Sequence, residues 1–227
     1  FLRLLKQARV VDGDGDLDAF VGGSGYGSHG IQFFENTGTA SSPVFVAAPT
    51  TAIWGSSPAP IFVDIDDDGD FDAFVGDKYD MRFWENTGTA SNPIFGASVT
   101  NPFGLWDARY YASSTFVDID GDGDLDALIG ESYGNTLFSE NTGTASSPVF
   151  AAPITNPFGL SDVGYSATPT FVDIDDDGDL DAFMANNTAV DGVFYITFSE
   201  NTGTASSPVF AAAEWHRVFT TPFGRSN

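Results

Sequence analysis

The sequence predicts an all-β protein: a β-propeller built from four repeats of about 55 residues, each supplying four antiparallel strands as one blade. Three observations predict it. The hexapeptide ENTGTA recurs at 35–40, 85–90, 140–145 and 200–205. An aspartate-rich stretch recurs with it, aligned at Val10, Asp64, Asp118 and Asp173, in steps of 54, 54 and 55 residues. Apolar residues within each unit alternate with a period of two rather than 3.6, and no stretch carries an amphipathic helix. A β-sandwich also has short regular strands, but it does not repeat its own sequence this closely.

The repeats divide the single domain 1–227 into blades at about 1–50, 51–105, 106–160 and 161–227. In the fourth, TPTFVDID reads as a first strand, followed by the aspartate loop. DAFMAN reads as the second strand and VFYITFSEN as the third. NTGT is a turn whose glycine suits positive φ, and PVFAAA is the fourth strand. NPFGL closes the second and third units at 101–105 and 156–160, with TPFGR as a variant at 221–225. Trp84 aligns with Phe34 and Phe138 in a strand, so it is expected in the core.

Composition excludes several classes. Thirty-two acidic against 8 basic residues give a formal net charge of −24, which repels a nucleic-acid backbone or an anionic membrane surface. No run of 18 apolar residues is present, so no membrane-inserted helix is expected. The opening FLRLLKQARV lacks the apolar core and small-residue cleavage site of a signal peptide. Cysteine is absent, which removes disulfide and thiol chemistry. The acidity is local: 21 of the 26 aspartates fall within 12–18, 64–72, 118–126 and 173–181.

Those stretches carry the chemistry. The second, third and fourth read DIDDDGDFD, DIDGDGDLD and DIDDDGDLD, with aspartate always at positions 1, 3, 5, 7 and 9 and glycine at 6. The candidate metal ligands are therefore Asp64, Asp66, Asp68, Asp70 and Asp72; Asp118, Asp120, Asp122, Asp124 and Asp126; and Asp173, Asp175, Asp177, Asp179 and Asp181. Alternation lets three carboxylates converge when the loop curls, the position-7 carbonyl adds a donor, and position 9 closes the shell. So many hard oxygens suit Ca2+ better than Mg2+, and without His or Cys they do not suit zinc. Position 12 holds Val75, Ile129 or Met184, not the glutamate an EF-hand needs. The first loop keeps Asp12, Asp14, Asp16 and Asp18 but has Val10 at position 1, so a fourth site is expected to be weaker or empty.

At these D-x-D-x-D-G-D-x-D loops, and at the strands DAFVG (72–76) and DALIG (126–130) that follow them, the chain resembles the FG-GAP, or VCBS, repeat family of integrin alpha-subunit propellers. The resemblance covers nearly the whole chain. It implies a calcium-stabilised propeller, extracellular or on a cell surface, engaged in adhesion, carbohydrate binding or protein recognition. It also assigns the calcium ligands to Asp64, Asp66, Asp68, the Asp70 carbonyl and Asp72, and to their equivalents in the third and fourth loops. Such propellers commonly close with seven blades. Four repeats leave open a fragment, a small ring, or a half completed by self-association with a second copy.

Catalysis is not expected. Only His29 and His216 offer an imidazole base, and the recurrent Glu35, Glu85, Glu140 and Glu200 read as turn residues, whereas an active site is usually unique. Binding is the better expectation. Trp54 and Trp106 precede two of the aspartate loops by 10 and 12 residues, and Tyr110 and Tyr111 follow Trp106 closely. Aromatic faces beside polar groups suit a sugar, so these four are the candidate residues for a glycan or protein ligand. The alternative is a purely structural repeat of a larger surface protein or self-assembling fibre.

Overall fold

The computed structural model describes residues 8–9, 17–22, 31–47, 60–76, 80–90, 93–106, 113–190 and 193–218. These residues form four antiparallel sheets of four strands, each confined to one sequence repeat and each running in chain order. The first sheet contains β1 (Ala8–Arg9), β2 (Asp18–Gly22), β3 (Ile31–Asn36) and β4 (Phe45–Ala47). The second contains β5 (Pro60–Val63), β6 (Asp72–Gly76), β7 (Met81–Trp84) and β8 (Val99–Thr100). The third contains β9 (Ser113–Val117), β10 (Asp126–Gly130), β11 (Thr136–Ser139) and β12 (Ile154–Thr155). The fourth contains β13 (Thr168–Val172), β14 (Asp181–Val190), β15 (Val193–Ser199) and β16 (Glu214–Val218). No α-helix occurs among the described residues, and none is long and apolar enough to cross a membrane.

The chain divides into two compact units. One comprises Phe1–Ala112 with Glu140–Ala152, the other Ser113–Ser139 with Pro153–Asn227. In the first, Phe62, Ala73, Val75 and Trp84 form a buried cluster, so Trp84 is core as its alignment suggests. In the second, Ile119, Leu128, Phe138, Val163, Ala182, Met184 and Phe210 interlock the third and fourth repeats. The second strand of each central repeat, DAFVG or DALIG, is buried at every residue because apolar side chains cover both of its faces.

Two sequence expectations fail locally. PVF does not supply the fourth strand of the later repeats: Asn141 and Asn201 bridge only to Phe150 and Phe210, and pairing resumes downstream at β12 and β16. Only in the first repeat does the strand begin at the phenylalanine, Phe45. The asparagine turn is common to all four repeats and does not set this difference, since Asn36 accepts from Gly38 at 3.1 Å and from Val44 at 2.8 Å in the first repeat as well. Asn141 is 3% exposed, and its Oδ1 accepts from the backbone N–H of Gly143 at 3.0 Å and of Val149 at 2.9 Å. Asn201 accepts from Gly203 and Val209 in the same way. A side chain thus takes over donors that a ladder would otherwise use.

The turn glycines are also needed for a reason other than positive φ, since neither Gly143 nor Gly203 has it. A Cβ on Gly203 would overlap the Ser207 carbonyl oxygen and lie 2.8 Å from the nitrogen of Val209. Gly203→Ala is therefore expected to destabilise by about 1–3 kcal/mol, as overpacking of a rigid site does. Urea midpoints at unchanged slope would measure it; a neutral alanine would show that the hairpin yields.

Candidate metal centre

Each aspartate loop closes a hairpin between the first and second strands of its sheet, the last pairs being Val63 with Asp72, Val117 with Asp126, and Val172 with Asp181. Eight residues must reverse the chain between these pairs, and they do so around the first aspartate. In the third loop Asp118 Oδ1 accepts from the N–H of Gly121 at 2.7 Å and of Asp122 at 3.1 Å, while Oδ2 accepts from Gly123 at 3.0 Å. In the fourth, Asp173 takes the N–H of Asp176, Asp177 and Gly178. In the second, Asp64 takes those of Asp68 and Gly69. The position-5 carboxylate then accepts from position 7, as Asp68 does from Asp70 at 3.0 Å.

The glycine at position 6 has φ of 93°, 96° and 94° in the three loops, a left-handed conformation that other residues enter only with strain. Here the expectation of a turn glycine holds.

This fold draws three carboxylates together in each loop. Asp64 with Asp66 and Asp68, Asp118 with Asp120 and Asp122, and Asp173 with Asp175 and Asp177 each place one oxygen within 4.8 Å of the others. Position 9 is more deeply set. Asp72 and Asp181 are 2% exposed, and their Oδ1 atoms accept from the N–H of Asn86 at 2.7 Å and of Asn201 at 2.8 Å. Asp18, fully buried, holds Asn36 in the same way in the first repeat. The last aspartate therefore joins the loop to the asparagine turn.

Electrostatics show what these positions lack. Asp72 is pushed up to about 7, first by burial and then by Asp66, Asp70 and Asp68, against the hydrogen bond from Asn86. Burial, followed by the charge of Asp68, also raises Asp66 and Asp70. Asp120 and Asp179 rise through burial and then through Asp122 and Asp177 respectively. Buried oxygens of Asp70, Asp72, Asp120 and Asp179 accept no hydrogen bond. A desolvated carboxylate oxygen with no donor, among other carboxylates, is stabilised by a cation. The donor set is all oxygen and anionic, which fits calcium and not a thiophilic metal.

Acidity follows with a definite sign. A carboxyl raised above its unfolded value near 3.9 binds protons more tightly in the folded state, so its stabilising effect is complete below about pH 4 and lost as pH rises through about 7. In chelator, the melting temperature should climb as pH is lowered from about 8 to about 5. A steady fall over that range would show that the loops do not carry this strain.

Some candidates lie elsewhere. Asp12, Asp14 and Asp16 of the first loop, and Trp54, Tyr110, Tyr111 and His29, fall outside the described residues. Trp106 is described and is 60% exposed, so it is not packed as core. His216 lies on β16 with its side chain largely exposed, Nε2 being 3.8 Å from Glu214 Oε2. The Asn186 amide of the N-x-T sequence at 186–188 is buried and donates to the Val163 carbonyl at 2.7 Å.

Two exposed tyrosines were missed by the sequence reading: Tyr133 at 54% and Tyr165 at 59%. They occupy adjacent turns, joined where the Ser166 N–H donates to the Ser132 carbonyl at 3.0 Å. Nearby, Glu131 accepts from Asn135, whose carbonyl accepts from Asn156. A recurring G-x-x-Y, as Gly76 to Tyr79 and Gly130 to Tyr133, was the available signal for the first of them.

No protein-family model matches the sequence, and no curated protein matches it. Among solved structures, the chain is similar to an Agrocybe aegerita lectin described as specifically recognising non-reducing terminal N-acetylglucosamine. The TM-score is 0.53 at 19% identity, over 92% of this chain and 50% of the lectin. A second likeness is to the Photorhabdus luminescens Tc holotoxin pore, with TM-score 0.46 and 17% identity, over 97% of this chain and 10% of that one. The first shows a shared fold, and this chain spans only half the length of that lectin.

Proposed function

We propose that this chain is a calcium-stabilised repeat module of the FG-GAP/VCBS kind, with its sheets arranged as propeller blades, that binds a glycan outside the cell or at its surface. The observation that carries the metal half is the threefold convergence of aspartates within 4.8 Å, each set in the same preformed loop. Calcium would be held by Asp64, Asp66, Asp68 and Asp72, by Asp118, Asp120, Asp122 and Asp126, and by Asp173, Asp175, Asp177 and Asp181, with the carbonyls of Asp70, Asp124 and Asp179. The first loop, with Val10 in place of the leading aspartate, would bind weakly or not at all. The metal is structural in this reading, because the same site recurs in three loops, whereas an active site is usually unique. The protein is a binder, not an enzyme.

The glycan half is supported by the fold shared with a lectin and by exposed rings at Trp106, Tyr133 and Tyr165. Aromatic faces stack on sugar rings, and the amide and carboxylate groups beside Tyr133 and Tyr165 can bond hydroxyls. The test is a glycan array probed with calcium-loaded protein, including glycans ending in N-acetylglucosamine. Specific binding that falls at least ~10-fold in Tyr133→Ala or Trp106→Ala supports the reading, since ~1.4 kcal/mol per stacked ring is a modest demand. A blank array, or binding indifferent to all three rings, removes it.

A further inference from the structure

Repeat four is longer than repeats two and three in two places, and the two additions pair with each other. Its last loop aspartate and its turn asparagine, Asp181 and Asn201, lie 20 residues apart, against 14 for Asp72 and Asn86 and 15 for Asp126 and Asn141. Further on, Phe210 precedes Thr221 of TPFG by 11 residues, where Phe150 precedes Asn156 of NPFG by 6. The first addition lengthens β14 to 10 residues against 5 in β10, and the second gives β16 5 residues against 2 in β12. Tyr195 pairs with Asn186 on one side and Arg217 on the other, and Thr197 pairs with Trp215. The sheet of repeat four thus carries an extension across three strands that repeat three lacks.

Pairing settles which way this extension faces. Residues directly opposite in a ladder share a side of the sheet, as do alternate residues of one strand. Asn186, Tyr195, Trp215 and Arg217 therefore share the side of Ala182 and Met184, which cluster with Leu128 and Phe138 of repeat three. Val172 pairs with Asp181 and belongs to the other side. On the side turned to repeat three, Trp215 is nonetheless 53% exposed, and Arg217 is exposed with it. The Tyr195 ring stands edge-on to Trp215, with centroids 6.1 Å apart and planes at 73°, so the two make a corner. Asn186 anchors the root of the extension, donating from its buried amide to the Val163 carbonyl at 2.7 Å.

We propose that this corner binds a sugar bearing a carboxylate. The inference rests on the glycan reading above and gives it a ligand class and a second set of residues. A pyranose ring lies against the Trp215 face with Tyr195 as a wall. Arg217, two residues along the same strand, offers a planar fork that holds a carboxylate through two parallel hydrogen bonds. Charge selects the acid over a neutral sugar. With 8 basic residues against 32 acidic ones, the chain repels anions except where a cation is supplied locally, and the segment that adds Trp215 adds Arg217 with it.

The test is direct binding, in calcium buffer, of oligosaccharides ending in glucuronic acid or sialic acid, each paired with its methyl ester. At least one acid should bind ~10-fold or more tightly than its ester, and the preference should shrink as salt rises. Arg217→Gln should bring acid and ester to parity, and Trp215→Ala should weaken binding of the acid about 10-fold. His216→Ala, on the other side of β16, should change neither. All three positions are exposed, so circular dichroism should not change. Equal binding of acid and ester, or a preference that survives Arg217→Gln, overturns the proposal. Binding of neutral glycans that depends on Tyr133 or Trp106 and ignores Trp215 overturns it too, while leaving the glycan reading intact. A protein that binds no glycan at all removes both.

Discussion

Chelation of calcium is expected to lower the melting temperature by about 20 °C. Each of three sites at ~100-fold excess ligand over its dissociation constant adds ~2.7 kcal/mol to folding, or ~8 kcal/mol in all. For a chain of this size each kcal/mol is worth roughly 2–4 °C. The physical source is visible in the loops: without a cation, each of the three loops holds three convergent carboxylates and a buried position-9 aspartate against their mutual repulsion. Calorimetry on stripped protein should find about three sites, and calcium should restore the lost midpoint. Magnesium should restore less, because it demands a tighter octahedron and keeps its waters. An unchanged midpoint after complete chelation would mean that the loops are held by their own backbone hydrogen bonds alone.

The loops were legible in the sequence because identical chemistry recurs at identical spacing, and residues near in the chain build each of them. The hairpin reversal, the left-handed Gly69, Gly123 and Gly178, and the grouping of positions 1, 3 and 5 are all local consequences. What was not legible depends on neighbours distant in the chain. The SSPVF segments of repeats one, three and four are identical, yet Phe45 is exposed while Phe150 and Phe210 are buried. Their surroundings differ although their sequence does not. The asparagine of ENTGTA was likewise hidden. Its role as a buried acceptor for two backbone donors, itself gripped by the last aspartate of the metal loop, links two motifs that the sequence shows only as separate repeats.

That link makes Asp72→Asn the most discriminating substitution, because its effect on stability should change sign with the metal. Asp72 Oδ1 accepts from the Asn86 N–H at 2.7 Å, and an asparagine carbonyl can do the same. Its Oδ2 is buried without a hydrogen bond, beside Asp66 and Asp70. In chelator near pH 8, where the carboxyl is charged at a cost, replacing that oxygen with an NH2 removes a desolvated anion and supplies donors to neighbouring carboxylates. Stability should rise by ~1–2 kcal/mol, the scale of a one-unit pKa displacement. In calcium the same change deletes an anionic ligand from the shell, and stability should fall by about 2 kcal/mol, within the range for losing a charged buried partner. Urea unfolding of wild type and variant in both buffers reads the two signs directly. Destabilisation in both would assign Asp72 to the hairpin alone; stabilisation in both would take it out of the metal shell, leaving positions 1, 3 and 5 to hold whatever cation the loop binds.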